Sequence, residues 1–266
     1  MMEAIRMDQN AIFSAMEQFK APSTILFRAI EIKLLKQHLP GFLTRKPCLD
    51  LGCGEGVVTD AVFERPIDYG LDNTEASCAA ARKTGRFGEV ICADAASIPL
   101  PDSSLELVFS NCVLEHIPNI DAVIKDVARV LKKGGAFVFT TPSEQFCDFS
   151  LFSRLNIPFL NTLYARARNK KLAHFNWHSH ERWAERLNPH GLALSTHYYY
   201  ISKAEAEVWD MYLMLNKLLE VISVLFPGVR DRVYAKYIRK HLIALYGNAT
   251  ASASKGAAVC VVAAKM

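Results

Sequence analysis

No two of the seven cysteines stand in a C-x-x-C pair; they lie scattered at 48, 53, 78, 92, 112, 147 and 260. That spacing argues against a zinc framework and against a disulfide scaffold. Most fall in apolar runs, where a free thiol packs as a small hydrophobe, so a reducing, cytoplasmic setting is expected. A large excess of charge of one sign is also lacking. The net charge is +4, which does not by itself point to nucleic acid. There is neither a separate basic domain nor an aromatic–basic RNA motif. Internal repeats and extended linkers are missing. The first twenty residues hold no continuous apolar core, so they do not read as a secretory signal. The apolar run around 209–226 is broken by Asp210, Asn216, Lys217 and Glu220, too short and too charged for a membrane span.

What is present is ordinary for a globular chain: 266 residues, 51% hydrophobic and 22% charged. That length suits one large α/β domain with insertions. Apolar spacing predicts a helix over 24–39, capped by Ser23 or Thr24 and ended by Pro40-Gly41. Strands are expected at 47–51, 67–72, 89–93, 105–110 and 136–141. Helices are expected at 76–83 and at 122–132, the latter capped by Asp121. Strands alternating with helices imply a parallel sheet with right-handed crossovers. Further on, 179–187 reads as a helix, 192–201 and 257–264 as strands, and 203–254 as strongly helical. Segment 142–178 reads as an irregular insertion. The expected organisation is a helical cap at 1–40 and a domain at 41–266 with insertions at 142–178 and 203–254.

The most informative stretch is Cys48-Leu49-Asp50-Leu51-Gly52-Cys53-Gly54-Glu55-Gly56. A strand runs into three glycines at alternate positions and then into a helical pattern, so the backbone can turn sharply and a ligand can lie against it. A dinucleotide fingerprint wants G-x-G-x-x-G, but Val57 stands where its third glycine belongs. A tight turn without a ligand is the plain alternative. Asp50, Asp72 and Asp94 follow at the ends of three successive strands, the edge where open α/β sheets bind ligands. Each aspartate alone reads equally as a cap or turn residue; three in register behind a glycine loop do not. A carboxylate beside the loop suits a ligand with positive charge, such as the sulfonium and ammonium of S-adenosylmethionine (SAM).

These residues resemble those of class I SAM-dependent methyltransferases, in the broad type 11 group that includes the ubiquinone/menaquinone-biosynthesis enzymes. The likeness rests on LDLGCGEG at 49–56, GLD at 70–72, ADAASIPLPDSSLELVFSNCVLEHIPN at 93–119 and DAVIKDVARVLKKGGAFVFTTPS at 121–143. It implies a seven-stranded Rossmann-like sheet, six strands parallel and the last antiparallel, here with helical cap insertions. It implies SAM as methyl donor, held by Asp50, Gly52, Gly54 and Gly56. Asp72 with Asn73 would hold the ribose, Asp94 with Ala95 would lie at the adenine edge, and Asn111 would sit beside the methionine portion. The family usually joins its last two strands by a short hairpin, whereas about fifty residues intervene here. The tetrapeptide N-P-P-Y, typical of family members acting on base or amide nitrogens, is replaced by Thr140-Thr141-Pro142-Ser143. The expected activity is methyl transfer to a hydroxyl of a small-molecule, glycan or lipid-like acceptor. N- or C-methylation, a catalytically silent SAM-binding partner and a nucleotide-dependent oxidoreductase are the alternatives.

A hydroxyl acceptor must lose a proton, and histidine is the usual base near neutral pH. His116 lies near the cofactor edge, with a structural role as its leading alternative. His174, His178 and His180 cluster in Ala173-His174-Phe175-Asn176-Trp177-His178-Ser179-His180. Three readings stand: a helix start capped by Ser179 or His180, a general base (His174 or His178), and a metal site. The last is set aside for want of a nearby cysteine or carboxylate. The apolar run 209–226 is core, acceptor pocket or, with the basic residues of 230–240 behind it, a peripheral membrane contact through 209–240.

Overall fold

In the computed structural model, residues 11–155 and 158–266 are described, so the first ten residues of the expected N-terminal cap lie outside the described part. The elements follow in the order α1 (Pro22–His38), β1 (Cys48–Leu51), α2 (Val57–Val62), β2 (Ile67–Asp72), α3 (Glu75–Lys83), β3 (Phe87–Cys92), β4 (Leu105–Asn111), α4 (Ile120–Val130) and β5 (Leu131–Pro142). The second half adds α5 (Pro158–Leu172), α6 (His180–Leu187), β6 (Leu192–Tyr200), α7 (Lys203–Leu225), α8 (Val229–Val233), α9 (Arg239–Asn248) and β7 (Ala258–Lys265).

The seven strands form one sheet in the order β3-β2-β1-β4-β5-β7-β6. β1 to β5 pair in parallel, and β7 runs antiparallel to both β5 and β6. This is the seven-stranded pattern the resemblance implied. Every residue of β1 is buried, as expected for a parallel strand covered on both faces. One face carries Val123, Ile124 and Val127 of α4 with Trp183 of α6. The other carries Ile30 and Leu34 of α1 with Leu219 of α7 and Leu242 of α9.

Three sequence expectations are corrected. Helix α1 starts earlier than expected: Ala21 is its N-cap and Pro22 its first residue, where the missing amide costs nothing, so Ser23 and Thr24 lie inside the helix. Asn119, not Asp121, is the N-cap of α4; Asp121 sits in the first turn and accepts from Arg186 Nη1 at 2.8 Å. Segment 142–178 is not merely irregular, since it contains the fifteen-residue α5.

The two insertions are locked together by one buried ion pair. Arg168 Nη1 of α5 donates to both carboxylate oxygens of Asp210 on α7 at 2.9 Å. Tyr164 Oη and the Leu151 amide complete the shell of that carboxylate at 2.9 and 3.1 Å. A buried charge is tolerable only when its lone pairs are met in this way.

Candidate active site

The glycine loop is built by backbone geometry. Gly52, Gly54 and Gly56 all have positive φ, at +80°, +54° and +84°, a region L side chains enter only with strain. The amides of Gly52 and Cys53 donate to Leu71 O at 2.7 and 2.9 Å, which fastens the loop to β2. Asp72 then ties loop to strand end. Its Oδ2 accepts from Gly54 N at 3.0 Å, and its Oδ1 from the Thr74 amide and hydroxyl at 3.0 and 2.6 Å. Asn73, next to it, is exposed.

Asp50 is buried and accepts a short hydrogen bond from the Thr59 hydroxyl. Burial pushes its carboxyl up to about 7, against that bond and with some help from the charge of Asp72. Asp94 is exposed and accepts from Ala96 N at 2.8 Å, an Asx turn whose intervening residue is the half-buried Ala95. Asn111 closes β4. It donates to Thr140 Oγ1 at 2.8 Å and accepts from Arg28 Nη1 at 2.5 Å.

A cavity of ≈ 220 Å³ lies over this edge, lined among others by Asp50, Gly52, Gly54, Asn111, Cys112 and Arg28. Asp72 and Asp94 stand further along the same carboxyl edge, at the ends of β2 and β3. The residues present fit SAM: a cradle of backbone with no Cβ in the way at Gly54, a buried carboxylate for the cationic end, and acids on the open side.

A second cavity, of ≈ 170 Å³, shares Arg28 and Cys112 with the first. Phe27, Phe146, Leu172 and Trp209 make its apolar walls, and Glu115, His116 and His174 line it too. The insertion reaches this place by backbone pairing with the turn Leu114–His116. Phe175 N donates to Glu115 O at 2.6 Å, and Asn176 Nδ2 bridges Leu114 O and Ile117 O at 2.9 and 2.8 Å. A larger cleft, ≈ 420 Å³, opens at the opposite end of β1 and β2 beside Lys46 and Ile67, away from this chemistry.

The histidines divide. His116 and His174 stand with ring centroids 5.2 Å apart. His116 Nδ1 is 3.2 Å from Ala173 O, so it carries the proton and leaves Nε2 as the free lone pair. That Nε2 is 3.9 Å from Glu115 Oε1. His174 Nδ1 has no hydrogen-bond partner. Burial, then the charges of His116 and Arg168, push His174 down to about 4, so it is neutral at pH 7. Burial raises Glu115 to about 8 against its own backbone hydrogen bond and Arg28. His178 is not brought here: its ring packs 5.1 Å from Trp183. His180 stacks on His197 at 3.6 Å, and Ser179 caps α6 through Arg182 N.

Two site residues escaped sequence reasoning. Arg28 sits on a helix read as core, and its neighbours Asn111 and Glu115 come from far along the chain. Glu115 was visible only as the residue before His116. It is also the carboxylate whose absence had set the metal reading aside: Glu115, His116 and His174 offer ligand atoms within 4.8 Å of one another.

Residues 49–139 match the family described as "Methyltransferase domain". The chain resembles a malonyl-(acyl-carrier protein) O-methyltransferase of Halorhodospira halophila, 30% identical over 123 residues that cover 44% of this chain and 42% of that protein. It also resembles a ubiquinone biosynthesis O-methyltransferase of Idiomarina loihiensis, 30% identical over 118 residues, 42% of this chain and 48% of that protein. Among solved structures, a SAM-dependent methyltransferase of Thermotoga maritima superposes with a TM-score of 0.57 at 16% identity, over 90% of this chain and 89% of that one. The fold is that of the class I methyltransferases. Over residues 49–139 the chain is similar to SAM-dependent methyltransferases. The matched stretch spans less than half the length of these curated relatives.

Proposed function

We propose that this protein transfers a methyl group from SAM to a hydroxyl of a small-molecule or lipid-like acceptor held between Phe27, Phe146 and Trp209. The carrying observation is the wall that the two cavities share, Arg28 and Cys112. It supports reading the two cavities as a donor site and an acceptor site side by side. When bound, SAM supplies an electrophilic methyl on a sulfonium.

The chain's own part is to align, to exclude water and to take a proton. Gly54 and Asp72 fix the donor side. The aromatic walls hold the acceptor and keep water out. His174, neutral at pH 7 and lining the acceptor cavity, accepts the hydroxyl proton, with His116 beside it. At ≈ 170 Å³ the acceptor cavity is below the roughly 300–1,000 Å³ of drug-sized sites. It takes one ring or a short chain, and the rest of a larger acceptor stays outside.

The test is a methyl-release assay against panels of phenols, aliphatic alcohols, amines and carboxylates. The expected result is turnover with hydroxyl compounds and a loss of about 10²–10⁴-fold in kcat for His174→Gln, with SAM affinity unchanged. His178→Gln should keep full activity. An unaltered rate in His174→Gln overturns the base assignment, and turnover of amines alone overturns the acceptor.

A second reading draws on the convergence of Glu115, His116 and His174. Two imidazoles and a carboxylate are a donor set for zinc or ferrous iron, and such a cation would lower the acceptor's hydroxyl pKa in place of the base. The donation from His116 Nδ1 to Ala173 O is the kind of second contact that fixes a metal-ligating ring. Activity that falls with a chelator and returns with one divalent metal selects this reading; indifference to chelator removes it.

A further inference from the structure

Helix α7 does two things along its length. Its first half is held in the protein, by Asp210 to Arg168 and by Tyr212 Oη to His241 Nδ1 at 2.6 Å. Beyond the buried Leu219, its last turns present an exposed apolar face. Val221, Val224, Leu225 and Phe226 are 68%, 81%, 76% and 62% exposed, and Leu218 one turn earlier is exposed too. Pro227-Gly228 then turns the chain into α8, so this apolar end is the tip between two helices. Single exposed apolar residues are common, but a contiguous group of them marks a contact surface.

We propose that this tip is a membrane-docking element that seats in the headgroup layer of a bilayer rich in anionic lipid. Behind the tip, Arg232, Lys236 and Lys240 are exposed, while Asp231 stands beside Arg230 and Glu17 answers Arg239. Apolar side chains at a tip with cations one or two turns behind match the layering of an anionic membrane surface, lipid tails below and phosphates above. A second copy of the chain is the poorer occupant, because a two-fold contact sets a patch against itself and would face these cations with their own copies. No helix among the described residues is long and apolar enough to cross a membrane, so the tip rests on the surface.

The same helix carries Trp209, a wall of the acceptor cavity. Phe226 lies seventeen residues further on, about 25 Å along the axis. Docking at the tip therefore orients the cavity at a fixed distance from the bilayer, which suits an acceptor with a hydrocarbon tail. That last step rests on the proposed methyl transfer; the docking does not.

The test is co-sedimentation of the full chain with vesicles of phosphatidylcholine alone and of phosphatidylcholine with phosphatidylglycerol. Binding to the anionic vesicles is expected, weakening as salt is raised. Val221→Glu with Leu225→Glu should abolish it. Arg232→Gln with Lys236→Gln should weaken it about 25-fold, since each cation near the surface is worth about fivefold. Retention of the protein in the supernatant with anionic vesicles overturns the proposal. So does equal binding by wild type and the tip variant, or a dimer in analytical ultracentrifugation that the tip variant dissolves. SAM calorimetry on the same samples keeps the readings apart. Intact SAM binding shows the variants folded, and vesicle binding without SAM binding would count against the donor site alone.

Discussion

Arg28 and Asn111, 83 positions apart, meet at 2.5 Å, Nη1 to Oδ1. The same Nη1 reaches Glu31 Oε2 at 2.7 Å. One guanidinium on α1 thus binds the end of strand β4 and stands in the wall between the two cavities. The helix ahead of the sheet is part of the site, not a cover added to it.

Asp72 holds the glycine loop by accepting from Gly54 N and from Thr74. Its replacement by alanine removes charged-acceptor hydrogen bonds worth roughly 1.5–3 kcal/mol. SAM affinity, read by calorimetry, should fall about 10–100-fold. The far-ultraviolet spectrum should be unchanged.

Gly52 and Gly54 should respond differently to alanine. At Gly52, φ is +80° and a Cβ would stand 2.6 Å from Val113 Cγ1. Backbone strain of about 1–2 kcal/mol and overpacking of about 1–3 kcal/mol add, so Gly52→Ala should lose about 2–5 kcal/mol in urea unfolding. A Cβ at Gly54 meets nothing within 4 Å. Gly54→Ala, at φ +54°, should therefore cost only the backbone strain of about 1–2 kcal/mol and lose chiefly SAM affinity.

Glu115 should give the fold a pH dependence. Its carboxyl is raised by burial to about 8 from the ordinary 4.5. Between those values the folded chain keeps a proton that the unfolded chain has released. This contribution is complete at the acid end of the range and lost as pH rises through about 8. Glu115→Gln should flatten the fall in Tm between about pH 4.5 and about pH 8, followed by thermal denaturation. A fall of the same size in the variant would locate the titrating group elsewhere.

Asp210 answers the buried Arg168 guanidinium. Asp210→Ala strands that charge and should cost about 3–5 kcal/mol in chemical denaturation. The double change Arg168→Met with Asp210→Leu removes both charges together and should recover most of it.

The parallel half of the fold was legible because its signals are local. Cys48–Leu51, Ile67–Asp72 and the loop between Gly52 and Gly56 each announce themselves within a few residues. The acceptor side was not. Arg28, Glu115, His174 and Trp209 come from four separate stretches, and only tertiary packing sets them around one cavity. Local spacing even misdirected. His178 is as close to the helix start as a base could wish, yet its ring faces Trp183. Helix α5 was missed because its apolar and charged residues do not separate onto two faces: Arg168, on a helix that also exposes Phe159 and Leu163, points inward.

The position of β7 sets an order of events. It pairs with β5 on one side and β6 on the other, yet it is made after both. While the chain is being synthesised, β5 has an open flank and β6 has no place in the sheet. The helices of 203–248 emerge during that interval, with the apolar tip already exposed. A ribosome-bound chain lacking residues 258–265 should therefore hold the parallel half folded and leave Tyr198 and Tyr200 of β6 open to protease, and release of the last strand should close both at once.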